Sequence, residues 1–219
     1  MWCIQEITPE YRKRMYQLLD LYKMTYDPKR PVICMDEKSK QLLADSRSPI
    51  PAKPGSPEKY DYEYKRKGTC NIFVAVVPKA AKRIVKVTDT RTKADFASFV
   101  EYLLTRHYSK ADYIQLVVDN LNTHFESSFY ETMDKRKAGR LLKRIKFIYT
   151  PKHASWLNMA EIEINIMDRQ CTGGRIKSKE ELNTEVQYWC KKRNQEKCDI
   201  EWKFTRQNAD KKLSKHYVS

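Results

Sequence analysis

The feature that most limits the fold is a short apolar run that ends in an acid, within LVVDNLNTHF at 116–125. An apolar run of this length, bounded by turn-forming residues, predicts a buried central strand. Asp119 would then lie at the carboxyl end of that strand, which in open α/β sheets is the edge where ligands bind. The alternative is that Asp119 caps a turn, because Asp-Asn pairs favour turns and helix starts.

The rest of the chain alternates between strand and helix patterns. Further strands are predicted over 32–37, over a hairpin of 70–78 with 82–89, and over 146–151. Apolar residues at helical spacing predict helices over 8–24, 93–108, 127–145, 158–171 and 178–195. The stretch 47–68, rich in Pro and Lys, is expected to be an extended loop or a basic arm. Antiparallel strands followed by α/β crossovers predict a mixed sheet covered by helices.

Composition excludes several classes of protein. No apolar stretch approaches the roughly 20 residues that span a bilayer, and the N-terminus has no signal-peptide core, so we expect a cytoplasmic protein without a membrane partner. The six cysteines occur singly and none forms a C-x-x-C pair, which argues against a disulfide scaffold and a zinc finger.

The charge balance points to a polyanionic partner. Lys and Arg number 43 against 28 Asp and Glu, a net charge of +15, and nucleic acid is the first candidate. The basic clusters 135–137 and 140–144 suit either a solvated helix face or phosphate contacts. Tyr60, Tyr62 and Tyr64 alternate among basic residues, which fits either a strand with one aromatic face or an arm that meets DNA.

Two acids follow apolar strands, and a third is expected from a helix. If the strands of Asp36 and Asp119 are parallel neighbours, both carboxylates emerge at one edge of the sheet. The helix over 158–171 offers three candidates for the third acid, Glu161, Glu163 and Asp168.

The apolar spacing of that helix selects among the candidates. Ile162 and Ile166 are expected on its buried face, with Glu161 on the flank in the first turn, near the sheet edge. Glu163 is rotated by about 200° from Glu161, so the two cannot share a site, and Glu161 is our choice.

Three carboxylates at one edge suit divalent metals. Two ions about 4 Å apart activate a nucleophile and stabilise a leaving oxygen in phosphoryl transfer. Mg²⁺ or Mn²⁺ fits carboxylate oxygens better than zinc does, because no cysteine or imidazole set accompanies the acids. Basic surroundings would hold a DNA backbone.

Four motifs in order resemble one known family. They are CMDEKSKQLL, KPGSPEKYDYEYKRKGTCNIFVAV, VVDNLNTH and YTPKHASWLNMAEIEI, and with the tail IEWKFTRQNADKKL they span about residue 30 to the end. Together they resemble bacterial insertion-sequence transposases of the DDE type, in the mariner-related group called the insertion-sequence six-thirty family. Ala154 stands where the family usually has glycine, which touches no ligand.

The resemblance implies a fold and an activity. The fold would be RNase H-like, α/β, with a mixed five-stranded sheet and helices on both faces. The activity would be cleavage of DNA at transposon ends and joining to a target, with two Mg²⁺ or Mn²⁺ ions. By resemblance Asp36, Asp119 and Glu161 are the catalytic, metal-binding acids, and the protein acts on DNA as a homodimer or larger synaptic complex. Alternatives are a non-catalytic DNA-binding remnant that regulates a transposase, or an endonuclease without joining.

Four further residues are expected to support the acids or contact DNA, namely Asn122, His124, Asn158 and Trp156. The alternatives are a turn-forming role for Asn122, a backbone hydrogen bond for His124 and a buried packing role for Trp156.

The expected domains are a helical lead-in over 1–29, the catalytic domain over 30–195 and a basic tail over 196–219. Family members usually carry helix-turn-helix domains ahead of the catalytic core, and the lead-in offers a single helix, so the chain corresponds to the catalytic portion.

Overall fold

A mixed sheet of five strands organises the chain, which this computed structural model describes over residues 6–218. In chain order the strands are Val32–Asp45 (β1), Tyr64–Val77 (β2), Lys82–Thr88 (β3), Ile114–Val118 (β4) and Ile145–Tyr149 (β5). Their order across the sheet is β3-β2-β1-β4-β5. The first two neighbouring pairs are antiparallel, and β4 is parallel to both β1 and β5.

Helices cover both faces of this sheet. They are Pro9–Lys23 (α1), Lys93–Tyr102 (α2), Ser127–Thr132 (α3), Lys135–Leu142 (α4), Met159–Met167 (α5), Lys179–Gln195 (α6) and Arg206–Leu213 (α7). Buried side chains of α1, α5, α6 and α7 form one core cluster with one face of the sheet, and those of α2, α3 and α4 form a second cluster with the other face. The predicted α/β fold with a mixed five-stranded sheet and helices on both faces is confirmed.

The first strand is longer than predicted. β1 does not end at residue 37 but continues to Asp45, because residues 38–45 pair antiparallel with 64–72 of β2. The strand predicted over 32–37 is therefore present, but its predicted end and the predicted loop through residue 68 were wrong. We call this two-stranded extension, residues 38–45 with 64–72, the ribbon.

Side chains fix the ribbon both near the sheet and at its outer end. The Arg175 guanidinium donates to the Asp45 carboxylate and to the Asp61 carbonyl oxygen, both at 2.7 Å. The Lys40 ammonium donates to the Gly174 carbonyl oxygen at 2.8 Å. The chain that follows α5 therefore holds the ribbon in place on one side.

The tyrosines of the alternating pattern lie at the outer end of the ribbon. Tyr60, Tyr62 and Tyr64 have exposed fractions of 61%, 87% and 45%. Only Tyr64 belongs to β2, and the Arg175 guanidinium lies 5.7 Å from its ring centroid. The three rings therefore present an aromatic surface to solvent.

The basic segment 127–145 forms two helices instead of the single helix predicted. Met133 is extended, and the Asp134 carboxylate accepts the backbone N–H groups of Arg136 and Lys137, each at 3.0 Å. An aspartate that satisfies the free N–H groups of a first turn starts a new helix at that point. α4 is therefore a separate element, capped by Asp134.

The two ends of the described chain meet on the same face of the sheet. The Ile7 N–H donates to the His216 carbonyl oxygen at 2.7 Å, and the rings of Tyr22 and Trp202 lie 5.3 Å apart. The division of the chain into 1–29, 30–195 and 196–219 stays a prediction. Within residues 6–218 no helix is long and apolar enough to cross a membrane.

Candidate active site

Asp36 lies on β1 at the face covered by α5. Its side chain is almost enclosed, with 9% of the residue exposed, and the Glu37 N–H donates to it at 2.8 Å. Burial raises the pKa of Asp36 to about 7, and the negative charges of Glu161, Glu37 and Asp119 act in the same direction. Asp119 and Glu161 therefore lie near enough to act on the charge of Asp36.

Asp119 follows β4 directly, at the carboxyl edge that the sequence predicted. Its Oδ1 accepts the Leu121 N–H at 3.0 Å and contacts Nδ1 of His124 at 2.7 Å. Burial alone would raise the pKa of Asp119, but these hydrogen bonds hold it below its usual value. Asp119 therefore stays ionised, and a third of its side chain faces solvent.

His124 links two carboxylates. Its Nε2 lies 3.0 Å from Oε2 of Glu37, and neither side chain is more than 2% exposed. The imidazole packs against the ring of Phe96 with centroids 4.9 Å apart. Burial alone would lower the pKa of His124, but the hydrogen bonds to Asp119 and Glu37 raise it to about 9. The imidazolium form donates from both nitrogens and so fixes the orientation of Asp119.

Asn158 connects β1 to the start of α5. Its side-chain oxygen accepts the Ala160 N–H at 3.1 Å, which caps the helix, and its amide donates to the Met35 carbonyl oxygen at 2.8 Å. These partners directly precede Glu161 and Asp36 in the sequence. Asn158, which is fully buried, therefore sets the distance between the elements that carry the two acids.

The buried face of α5 differs from the predicted one. Ile162 and Ile166 are only partly buried, whereas Glu163 is fully enclosed. Its Oε1 accepts from Arg83 at 2.5 Å and from Arg193 at 2.8 Å. Burial alone would raise the pKa of Glu163, but the two guanidinium groups hold it below its usual value. The buried face of α5 therefore combines the apolar residues Met159, Ala160, Ile164 and Met167 with the ion pair of Glu163.

The remaining predicted residues lie at the rim of this edge. Asn122 is exposed and makes no side-chain hydrogen bond within residues 6–218. Asn120 donates to the Thr150 carbonyl oxygen at 2.7 Å and so joins the ends of β4 and β5. Trp156 is partly exposed, at 37%, and it packs edge-on against Phe204 with the ring centroids 5.7 Å apart. It is therefore not the fully buried packing residue of the alternative prediction.

The donor set fits a hard divalent cation in its chemistry. Asp36 and Glu161 offer carboxylate oxygens, the ligands that Mg²⁺ prefers, and no Lys, Arg or His side chain within residues 6–218 forms a salt bridge with either. The same part of the chain contains no group of three Asp, Glu, His or Cys side chains at metal-binding spacing. The acids are therefore neighbours that have not converged to ligating distance.

Sequence reasoning missed two parts of this site. Glu37 and His124 are 87 residues apart, and only the fold shows that the two side chains meet, with Nε2 of His124 at 3.0 Å from Oε2 of Glu37. Nothing in the sequence connects Arg83 on β3 with Glu163, because the pair is 80 residues apart.

Comparison with known proteins identifies a family. A family model described as DDE superfamily endonuclease matches residues 31–183. Among curated proteins, none is significantly similar in sequence.

Solved structures of a transposase share the fold at low sequence identity. The pre-cleavage Mos1 transpososome gives a TM-score of 0.58 at 13% identity and covers 100% of this chain and 66% of that chain. The mariner Mos1 paired end complex with Mg gives 0.57 at 14%, with coverage of 100% and 66%. The Mos1 strand transfer complex gives 0.56 at 15%, with coverage of 87% and 57%.

The structural similarities and the family match support different conclusions. This chain spans less than two thirds of each of those transposase chains, and identities of 13–15% establish the fold alone. The family model covers most of the chain, from the residue before β1 into the first turn of α6, a span that includes Asp36, Asp119 and Glu161. The chain therefore belongs to the DDE superfamily endonucleases.

Proposed function

We propose that this chain is the catalytic domain of a transposase that cuts DNA and joins it to a target. In this proposal Asp36, Asp119 and Glu161 bind two Mg²⁺ or Mn²⁺ ions. The observation that carries it is the approach of acids from β1, β4 and α5 at one sheet edge, where Asp36 is buried without a cation. A divalent pair bound there would activate water or a 3′-hydroxyl and stabilise the leaving oxygen.

The chain's own groups orient the acids. His124, held by Glu37, fixes one oxygen of Asp119 at 2.7 Å and leaves the other oxygen available to a ligand. Asn158 holds the first turn of α5 against β1, so Glu161 keeps its position relative to Asp36. Outer partners of this kind orient metal ligands and tune their affinity.

The substrate and partners follow from charge and from the relatives. A net charge of +15 suits a DNA backbone. The similar structures are described as Mos1 transposase complexes, one of them with a left transposon end, and others with Mn or with Mg. We propose the same for this chain: DNA is its substrate, a divalent metal is its cofactor, and it acts as a paired assembly. Its motifs place it by resemblance in the insertion-sequence six-thirty group.

Cleavage of supercoiled plasmid in Mg²⁺ or Mn²⁺ tests this proposal. Nicked or linear product is expected from the native protein, and none from Asp36→Asn, Asp119→Asn or Glu161→Gln. Asp168→Asn is the matched control, because Asp168 continues the same helix but pairs with Lys38 at 2.8 Å, away from the three acids. Equal loss in this control would contradict the assignment.

A second reaction separates the alternatives. A pre-cut DNA end with a free 3′-hydroxyl is incubated with target plasmid, and joined product is expected. Cleavage without joining would identify an endonuclease, and DNA binding without cleavage would identify a regulatory remnant.

A further inference from the structure

One stretch of the chain carries basic residues and no acid. Residues 135–160 hold eight Lys and Arg and not a single Asp or Glu, whereas the whole chain has 28 acids in 219 residues. This stretch forms α4, β5 and the loop that leads to α5. A charge of one sign is therefore concentrated on one flank of the sheet, beside the edge strand β5.

Three of these cations form a line along α4 and its C-cap residue, Lys143. Arg136, Arg140 and Lys143 follow at intervals of four and three residues, which places them on one face of a helix. All three are exposed, while Ala138 and Leu141 on the opposite face are buried in the core. We call Arg136, Arg140 and Lys143 the basic stripe.

The basic stripe is not neutralised by the protein. Within residues 6–218 none of its three side chains pairs with a carboxylate, although the neighbouring Lys137 pairs with Glu101 at 2.7 Å. Gly139, directly before Arg140 in the helix, has no side chain and leaves the surface open. The half-exposed Tyr130 lies beside it, with its hydroxyl 4.0 Å from the position a Cβ would take at Gly139. Neutral and charged hydrogen-bond donors thus adjoin on one open surface.

This surface is separate from the candidate active site. β4 and β5 are parallel, so α3 and α4 must return from the carboxyl edge, where Asp119 lies, to the opposite edge of the sheet. The basic stripe lies on the second half of that return, and Lys146 at the start of β5 extends it as a further exposed cation. A duplex that leaves the active site along this flank would meet the stripe next.

The dimensions suit a phosphate backbone. Seven residues of helix span about 10 Å, and one DNA strand presents a charge about every 3.4 Å of helix axis. The stripe therefore matches about three successive phosphates. We propose that Arg136, Arg140 and Lys143 bind the backbone of duplex DNA outside the bond that is cut. This inference rests on the proposed function, because it takes DNA as the substrate.

Salt-dependent DNA binding tests the proposal. The triple variant Arg136→Ala, Arg140→Ala, Lys143→Ala should lose three phosphate contacts, which lowers the slope of log affinity against log salt by about 2.7. Between 50 and 200 mM salt the native protein should then lose about 40-fold more affinity than the variant does. The change should be equal for a transposon-end duplex and a scrambled duplex, because phosphate contacts carry no sequence information.

A matched variant separates the stripe from general charge. Lys191→Ala, Lys192→Ala, Lys211→Ala also removes three exposed helical cations, from α6 and α7, and should leave the slope close to that of the native protein. Equal slopes for both triple variants, or no change in the stripe variant, would overturn the proposal. All titrations are made with chelator and no metal, so a failure to cleave DNA leaves this measurement intact.

Discussion

Two glutamates of α5, separated by one residue, lie in opposite surroundings. Glu163 is fully buried, and two guanidinium groups share one of its oxygens. Glu161 is partly exposed, adds to the negative charge around Asp36, and has no cationic partner within residues 6–218. At 3.6 residues per turn the two side chains point about 200° apart.

This difference shows that the presence of a cationic side chain nearby, and not the residue type, decides whether a glutamate stabilises the fold or remains available to a ligand. A buried carboxylate with two fixed guanidinium groups is neutralised by the protein and holds β3, α5 and α6 together. Carboxylates that meet without a cation repel one another, and a metal ion relieves that repulsion. The first arrangement serves the fold, and the second keeps a site ready for a ligand.

The largest expected effect is on activity at Asp36 and Asp119. Asp36→Asn or Asp119→Asn should lower metal-dependent cleavage by at least about a thousandfold, since a metal ion supplies several kcal/mol of transition-state stabilisation. Asp36→Asn should not lower the melting temperature, because it removes a repulsion, whereas Asp119→Asn should lower it modestly, because His124 loses one of its two carboxylate partners. Cleavage is measured on plasmid at saturating Mg²⁺ or Mn²⁺. A variant that retains activity, or that unfolds, would break the comparison.

The next effect concerns stability and belongs to Glu163 alone. Glu163→Ala leaves Arg83 buried without its carboxylate, which should cost about 3–5 kcal/mol of the free energy of unfolding. Glu161→Ala, the matched control on the same helix, should change that free energy by less than about 0.5 kcal/mol. Urea denaturation measures both. Similar losses for the two variants would show that the contrast between these glutamates is wrong.

Metal binding sharpens the comparison further. Mn²⁺ or Mg²⁺ at a hundred times its dissociation constant should stabilise the native protein by about 2.7 kcal/mol, seen as a higher melting temperature. Asp36→Asn should remove this gain, and Asp168→Asn should retain it. An equal gain in both variants would place the ion elsewhere.

The smallest effect tests the link between β1 and α5. Asn158→Ala should cost about 0.5–2 kcal/mol through the lost helix cap. Asn158→Ser keeps an oxygen that can cap α5, but its side chain is too short to reach the Met35 carbonyl oxygen. Relative to the alanine variant, the serine variant should therefore regain stability but little of the metal affinity. Thermal shifts with and without Mn²⁺ measure both quantities. Full recovery of metal affinity in the serine variant would show that Asn158 acts only as a helix cap and not as a link between β1 and α5.

The sequence predicted the parts of the fold that depend on neighbouring residues. The apolar run before Asp119 is short and sharply bounded, and its strand ends within a residue of the predicted position. The start of α6 was likewise marked by Ser178, whose hydroxyl accepts the Glu181 N–H at 3.2 Å. Local patterns of this kind need no knowledge of the rest of the chain.

The parts that failed depend on distant partners. Residues 38–45 are too polar to predict a strand, and they become one because β2 supplies backbone partners. Glu163 is hidden because Arg83 and Arg193 reach it from β3 and α6. The pKa of His124 is raised by hydrogen bonds to Asp119 and to Glu37, and the second partner lies 87 residues away in the sequence. No spacing within one segment encodes these contacts.

The ribbon has a consequence for how the chain tolerates change in length. Lys40 fixes the ribbon near the sheet and Arg175 fixes its outer end, so the segment between residues 45 and 64 is a loop closed by contacts that do not involve its tip. Doubling the length of a flexible loop costs only about 0.6 kcal/mol in closure entropy. Insertions between Pro51 and Pro57 should therefore leave Asp36 undisturbed, and this is where a peptide tag or a fused domain can be accommodated.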